Sequence, residues 1–322
     1  MVSAKIRAWA ARRGYRVAFA SADVLGQVQD RLGRLSADGA FAPGFAESQL
    51  GGFDYPDSGG RRPARTVAVV AVSRPAWVVR FDTTKGGVDA VLPPTYVEYR
   101  RLFEELRLDL IEALGGRIAV STLAVPLKSL AAAAGLVSYG RNNLAYVQPF
   151  GSYAQLAAYL IDAPAEDSPR AIGFERMLDR CATCQACVKA CPTGAISGDR
   201  FLLRADRCYT VISESSGPLP TDPRPPSPDC LIGCLACQVI CPENRGLLER
   251  WPTSFAFTAE ETAALAAPGR IPEGPLSDSI DAKFASLELT EGVPLLRRNL
   301  RRLLELAGPL RHQTREGRAR QT

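Results

Sequence analysis

All nine cysteines of this 322-residue chain lie between Cys181 and Cys241, and that crowding constrains the fold more than any other feature. An odd number of thiols bunched at short intervals in a large chain argues against a disulfide framework and for a metal centre. The first group, Cys181, Cys184, Cys187, Cys191 and Pro192, forms a C-x2-C-x2-C-x3-C-P run. The second, Cys234, Cys237, Cys241 and Pro242, ends in the same C-x2-C-x3-C-P, and Cys208 and Cys230 precede it. Two residues between thiolates let one turn of backbone wrap a cubane corner, while the C-P step carries the last cysteine away and ends the turn. A zinc ribbon needs only four ligands per ion, commonly from two separated knuckles. Two complete C-P endings favour a pair of [4Fe-4S] clusters instead.

The first run is the ferredoxin spacing of bacterial two-cluster proteins, in which the fourth cysteine ligates the other cluster. Crossed ligation therefore groups Cys181, Cys184 and Cys187 with Cys241, and Cys191 with Cys234, Cys237 and one further thiol. Spacing leaves that last place open between Cys208 and Cys230. Imidazole plays little part, because the single histidine, His312, lies near the C-terminus. Ser-His and Cys-His nucleophile pairs and histidine acid-base chemistry are thereby set aside. The net charge of +5 rests on arginine, with only five lysines in the chain. Such a bias is compositional and does not by itself point to nucleic acid.

Outside the cysteines, periodicity predicts helices over 5–13, 22–36, 96–114, 127–135, 153–161 and 295–306, with a short, mostly apolar run at 15–20 and a buried strand at 66–72. The resulting expectation is an α/β (α+β) domain over 1–163, a two-[4Fe-4S] ferredoxin-like domain over 170–250, and a helical C-terminal extension with a polar tail over 251–322. Six prolines in 216–228 exclude regular structure there. Arg297, Arg298, Arg301 and Arg302 read as the solvated face of a helix with a leucine stripe, with a phosphate patch as the alternative. Gly59-Gly60 and Gly86-Gly87 do not make a dinucleotide fingerprint, so electrons are expected from a ferredoxin or flavodoxin. No window is apolar enough to span a membrane, and the N-terminus lacks an export signal's apolar core. A cytoplasmic protein is expected.

The stretch 177–245, with CPTGAI, RADRCYTVISESSGPLP and IGCLACQVICPENR, resembles the double-cluster domain of epoxyqueuosine reductases and their relatives, the cobalamin-dependent reductive dehalogenases. The resemblance implies that Cys208 is the eighth ligand and that Cys230 is spare. Upstream, Ala134-Gly135-Leu136 followed by Gly140, Arg141 and Asn142 looks like the segment with which these families hold the corrinoid. It implies a base-off cobalamin and cofactor contacts at Gly140, Arg141, Asn142, Ala145, Val147, Leu156 and Ser216. It also places an acidic aspartate ahead of that segment, where gap-free counting puts Ser121, and no carboxylate lies between Ala113 and Asp162. Serine is a poor general acid near neutrality. The sequence reading therefore favours a divergent cobalamin-dependent iron-sulfur reductase of an unassigned small-molecule substrate. Ser121 marks its catalytic position and Tyr139, with Tyr146 or Tyr153 behind it, is the replacement donor. An epoxyqueuosine reductase acting on tRNA and a corrinoid-free two-cluster electron carrier are the alternatives.

Overall fold

The computed structural model describes residues 1–56, 65–166, 173–217, 219, 230–247 and 253–307. His312, the polar tail and most of the proline-rich segment lie outside them. In chain order the first half comprises α1 (Val2–Arg13), β1 (Arg16–Ser21), α2 (Val24–Ala37), α3 (Phe45–Leu50), β2 (Thr66–Ser73), β3 (Trp77–Thr83), β4 (Gly86–Leu92), α4 (Tyr99–Ala113), β5 (Val120–Thr122), α5 (Leu127–Ala133), β6 (Ser138–Tyr139), β7 (Ala145–Tyr146) and β8 (Ala154–Ile161). Then come α6 (Ala186–Ala190), α7 (Tyr209–Glu214), α8 (Ala236–Val239), β9 (Thr253–Phe257), α9 (Ala259–Ala266), α10 (Pro275–Ser286) and α11 (Val293–Leu306).

Strands β1, β2, β8 and β5 form one antiparallel sheet in that order. Side chains alternate across a strand, and here both faces are covered. Val67, Val69 and Ala71 join Leu156 and Ala158 in a core with α2 and α5. Ala68, Val70 and Val72 join Ala157, Tyr159 and Ile161 in a second core with α1 and α4. This burial explains a secondary-structure expectation that the structure overturns. Residues 153–161 read as a helix, yet Ala154–Ile161 is a strand paired along its whole length with β2. A strand buried on both faces is an unbroken apolar run with no period of two to reveal it.

The second sheet joins the β3–β4 hairpin to β9, which runs parallel to β3. The region read as a purely helical C-terminal extension thus contributes a strand beside residues 77–83. Its helices close a third core in which Phe81, Phe257, Phe284, Leu296 and Leu300 are buried. Phe81 and Phe257 stack with ring centroids 4.8 Å apart. Two arginines of α11 also depart from the solvated-face reading. Arg297 donates to the carbonyls of Leu265, Gly269 and Ala267 at 2.9, 2.8 and 2.6 Å, satisfying acceptors at the end of α9. Arg298 donates to the backbone beyond α7. A guanidinium presents five donors in a fixed fork, and frayed carbonyls are a ready partner for it.

Glu261 ties this third layer together. Its carboxylate accepts from Lys283 Nζ at 2.5 Å, Ser279 Oγ at 2.7 Å and the Thr258 amide at 2.7 Å, the last completing a capping box on α9. Burial opposes its charge, but the bonds from Lys283, Ser279 and Thr258 outweigh that and hold the carboxyl below its usual range. A depressed folded pKa stabilises above the unfolded pKa and ceases to do so as pH falls through the folded one. Glu261→Gln should therefore cost roughly 1–3 kcal/mol at pH 7, measured by urea unfolding. The gap from wild type should narrow below about pH 4, near the ordinary carboxylate value.

Candidate metal centres

The cysteines sit on two short arms with the same local plan. In the first, a tight turn at Asp179–Ala182 presents Cys181, α6 carries Cys187, and the chain extends at Cys191 (φ −70°, ψ 113°) before Pro192. In the second, α8 carries Cys237 and the chain extends at Cys241 (φ −71°, ψ 124°) before Pro242 opens another tight turn. Helices α6 and α8 pack against each other. The extended C-P step turns the last cysteine of each arm away from its own group.

Two cavities result, each lined by four cysteines. Cys181, Cys184, Cys187 and Cys241 line one. Cys191, Cys208, Cys234 and Cys237 line the other, a space of about 150 Å³. Each cavity thus takes one cysteine from the opposite arm. Cys230 lines neither. It is buried among Ala76, Val78, Val91, Tyr153 and Leu235, and its backbone bridges to Val91. It packs between the hairpin and the start of α8, away from the two sets of cysteines that line the cavities.

The electrostatics of the cavities suit a cationic occupant. Burial, with Cys208 and Cys191 close by, pushes the Cys234 thiol up to about 12. Burial and the neighbouring Cys234 and Cys208 raise Cys237 further still. Four thiolates in one enclosed space repel one another unless a positive centre lies between them, so thiolate formation and metal binding go together. Cys191 is different. Burial works against its thiolate, but the Thr193 side chain and the amides of Thr193, Ile196 and Ala195 more than offset this and lower its pKa. The CPTGAI turn therefore supplies a nest of donors at one corner. Four soft thiol donors per cavity, with amides aimed at sulfur, fit an iron-sulfur cubane.

The 140–143 turn seats the first cavity. The Arg141 amide donates to Cys181 Sγ at 3.4 Å. Its guanidinium is spent on the carbonyls of Gly198, at 2.8 Å, and Cys181. Buried Asn142 lines both cavities and donates to Tyr146 Oη at 3.0 Å and to the Cys237 carbonyl at 3.4 Å. At Gly140 a Cβ would come within 2.5 Å of both Asn142 Oδ1 and the Tyr146 ring, so this close approach requires glycine. Beyond the cysteines, Pro93, Thr95 and Tyr96 also reach the larger cavity from the segment after β4. No sequence signal marks them, because the hairpin's position beside the second arm is set by long-range packing.

The remaining nominated residues do not gather at one place. Ser121 is exposed on β5, opposite Leu160. Tyr139 is buried edge-on against Phe201, with centroids 5.0 Å apart, and its hydroxyl faces Ser129. Neither lines a cysteine cavity. Tyr146 lines the first cavity, and burial together with Cys241 raises its pKa. Tyr153 lies in the cluster around Cys230. Val147 and Leu156 belong to the core beneath the sheet, Ala145 is half-buried, and Ser216 is exposed beyond α7. Of the residues nominated for a corrinoid, Gly140, Arg141 and Asn142 thus form the cluster turn, Val147 and Leu156 pack in the core, and Ser216 is exposed.

Residues 180–244 match the 4Fe-4S double cluster binding domain. The epoxyqueuosine reductase of Staphylococcus aureus is 27% identical over 242 residues, covering 72% of this chain and 61% of that protein. The chain therefore spans less than two thirds of that relative's length. The structure of the epoxyqueuosine reductase from Streptococcus thermophilus superposes with a TM-score of 0.67 at 21% identity, over 94% of this chain and 80% of that one. A crystal structure of epoxyqueuosine reductase with an epoxyqueuosine-modified tRNA stem loop superposes with a TM-score of 0.62 at 22% identity, covering 90% and 76% of the two chains. These findings correct two expectations drawn from sequence, an unassigned small-molecule substrate and the lack of a nucleic-acid partner. The first leans on the serine at position 121 and the second also on reading the arginine excess as compositional, and both weigh less than likeness across most of the chain. Among the described residues no helix is long and apolar enough to cross a membrane. With its crossed cysteine cavities beside a covered antiparallel sheet, the chain is a homologue of the epoxyqueuosine reductases and shares their mixed α/β fold and 4Fe-4S double cluster binding domain.

Proposed function

We propose that the chain is an epoxyqueuosine reductase acting on tRNA, with two [4Fe-4S] clusters carrying the electrons. The observation that supports this most directly is the pair of four-cysteine cavities sharing Asn142, in a chain whose matched relatives bear that activity in their names. Cys181, Cys184, Cys187 and Cys241 hold one cluster in this reading, and Cys191, Cys208, Cys234 and Cys237 hold the other. Loss of an epoxide oxygen as water consumes two electrons and two protons. Two one-electron centres bridged by a single buried asparagine suit such stepwise delivery. Backbone amides at Arg141 and in the CPTGAI turn stabilise charge on the sulfurs, and burial sets the potential at which each cluster accepts an electron.

Cobalamin belongs to this reading as a group that the resemblance implies. When bound, it would supply a low-valent cobalt able to reduce the substrate. None of the described side chains is assigned to hold it. The protein reconstituted anaerobically and desalted after exposure to cobalamin should keep one cobalt along with its iron. Iron without cobalt would move the chain to the two-cluster electron carriers. Offered a low-potential reductant and tRNA bearing epoxyqueuosine, the loaded protein should convert that nucleoside, as read by mass spectrometry after digestion. Unchanged nucleoside in the presence of full iron and cobalt would sink the proposed activity.

The ligand assignment has its own test. Cys230→Ser should retain about eight irons per chain, whereas Cys208→Ser should fall to about four. The reverse pattern, measured by iron and sulfide analysis, would hand the eighth place to Cys230.

A further inference from the structure

Ser213 lies in α7, buried and outside both cysteine cavities. Its hydroxyl accepts from the Gly233 amide at 2.8 Å and donates to the Thr210 carbonyl at 2.8 Å. One side chain therefore ties the segment following Cys208 to the residue just before Cys234. The carbonyl of Ser213 in turn accepts from Arg298 Nη2 at 2.7 Å and from Asn299 Nδ2 at 3.1 Å. Arg298 Nη1 reaches on to the carbonyls of Ser215, at 2.5 Å, and Gly217, at 2.6 Å. Asn299, buried, also donates to the Leu231 carbonyl at 2.9 Å. Two consecutive residues of α11 thus grip the chain after Cys208, at Ser213, Ser215 and Gly217, and before Cys234, at Leu231.

The opposite side of this junction is closed by Tyr96. Gly233 has φ +76°, and a Cβ there would meet the Tyr96 hydroxyl at 3.0 Å. That hydroxyl donates to Glu214, the last residue of α7. The junction is therefore held between a tyrosine from the hairpin layer and a helix from the C-terminal layer. None of Cys181, Cys184, Cys187 and Cys241, which line the other cavity, takes part in these contacts.

We propose that Arg298 and Asn299 are positioning residues for the second cluster, holding Cys208 in register with Cys234, so that α11 governs that cluster and leaves the first alone. The inference rests on the two-cluster reading above. Its physical basis is the number of backbone acceptors involved. Removing the Asn299 amide takes a donor from two carbonyls, and removing the Arg298 fork takes one from three, and acceptors that lose their partners reorganise toward water. The segment that follows Cys208 and the one that precedes Cys234 then lose their described anchors on α11.

The test uses the full chain, reconstituted anaerobically, as wild type, Arg298→Met, Arg298→Lys and Asn299→Leu. Iron and sulfide are counted, and both clusters are titrated potentiometrically with detection by electron paramagnetic resonance. Arg298→Met and Asn299→Leu should keep the first cluster's signal and potential. The second cluster should be lost, with iron falling from about eight to about four per chain, or should shift its potential where it persists. Arg298→Lys, which keeps the charge without the planar fork, should fold as wild type and show a smaller change confined to the second cluster. Wild-type iron and potentials in all three variants would overturn the inference, as would parallel changes in both clusters of Arg298→Lys. A wild-type protein that holds far fewer than eight irons would count against the two-cluster reading itself, separately from α11.

Discussion

Four thiolates can share one small volume only when a cation lies among them, and much of this architecture answers that requirement. One cavity takes three cysteines from the first arm and one from the second, and the other takes two from the second arm, one from the first and Cys208 from between them. Neither centre can be completed by its own arm, so the two arms must fold as a pair. The contact between α6 and α8 fixes their approach, and the C-P step supplies the exchange. Proline ends the turn at the point where the last sulfur must leave its neighbours. The repeated motif therefore describes a mutual dependence between two segments more than it describes two independent sites.

The α/β portion contributes to the centres mainly through its backbone. The 140–143 turn leaves β6, whose Tyr139 exchanges backbone hydrogen bonds with Arg176 and Leu178 just before the first cysteine. The Arg141 amide then points at Cys181 Sγ while its guanidinium binds carbonyls. A positive side chain is used to fix a loop, and the weaker partial charge of an amide is left to face the sulfur. That division tunes a centre gently, since amide dipoles stabilise the reduced state without adding a full unscreened charge beside it. Asn142 spans the two cavities from a buried position, where water does not compete for its bonds.

How far the sequence discloses this depends on the range over which each feature is determined. Cysteine spacing is local, so seven of the eight grouped cysteines can be written down from the chain and line the cavities in those groups, while the choice between Cys208 and Cys230 is not local. Amphipathic helices such as α2 and α4 are visible for the same reason, since one face is apolar and the other wet. The strand β8 is not, because burial on both faces erases its period. The pairing of β9 with β3 joins residues more than 170 positions apart and leaves no local trace. Arg298 and Asn299 are equally hidden. An arginine that faces water and one that grips three carbonyls have the same neighbours in sequence, and only the return of the helix to the second arm distinguishes them.

The weight that sequence alone places on Ser121 shows where residue-level inference overreaches. A serine where the resemblance implies an aspartate bears on proton transfer alone, because serine does not donate a proton readily near neutrality. It says much less about which molecule is bound. Recognition of a large substrate is spread over many contacts, and loss of one leaves most of the binding surface in place. Ser121 is also exposed at the edge of the sheet, beside β8 and open to water, so packing does not dictate which side chain stands there. A position free of structural constraint can drift or be reassigned while the clusters, bound by their mutual geometry, cannot. The residue at position 121 therefore weighs little in assigning a substrate, and the two four-cysteine cavities weigh more.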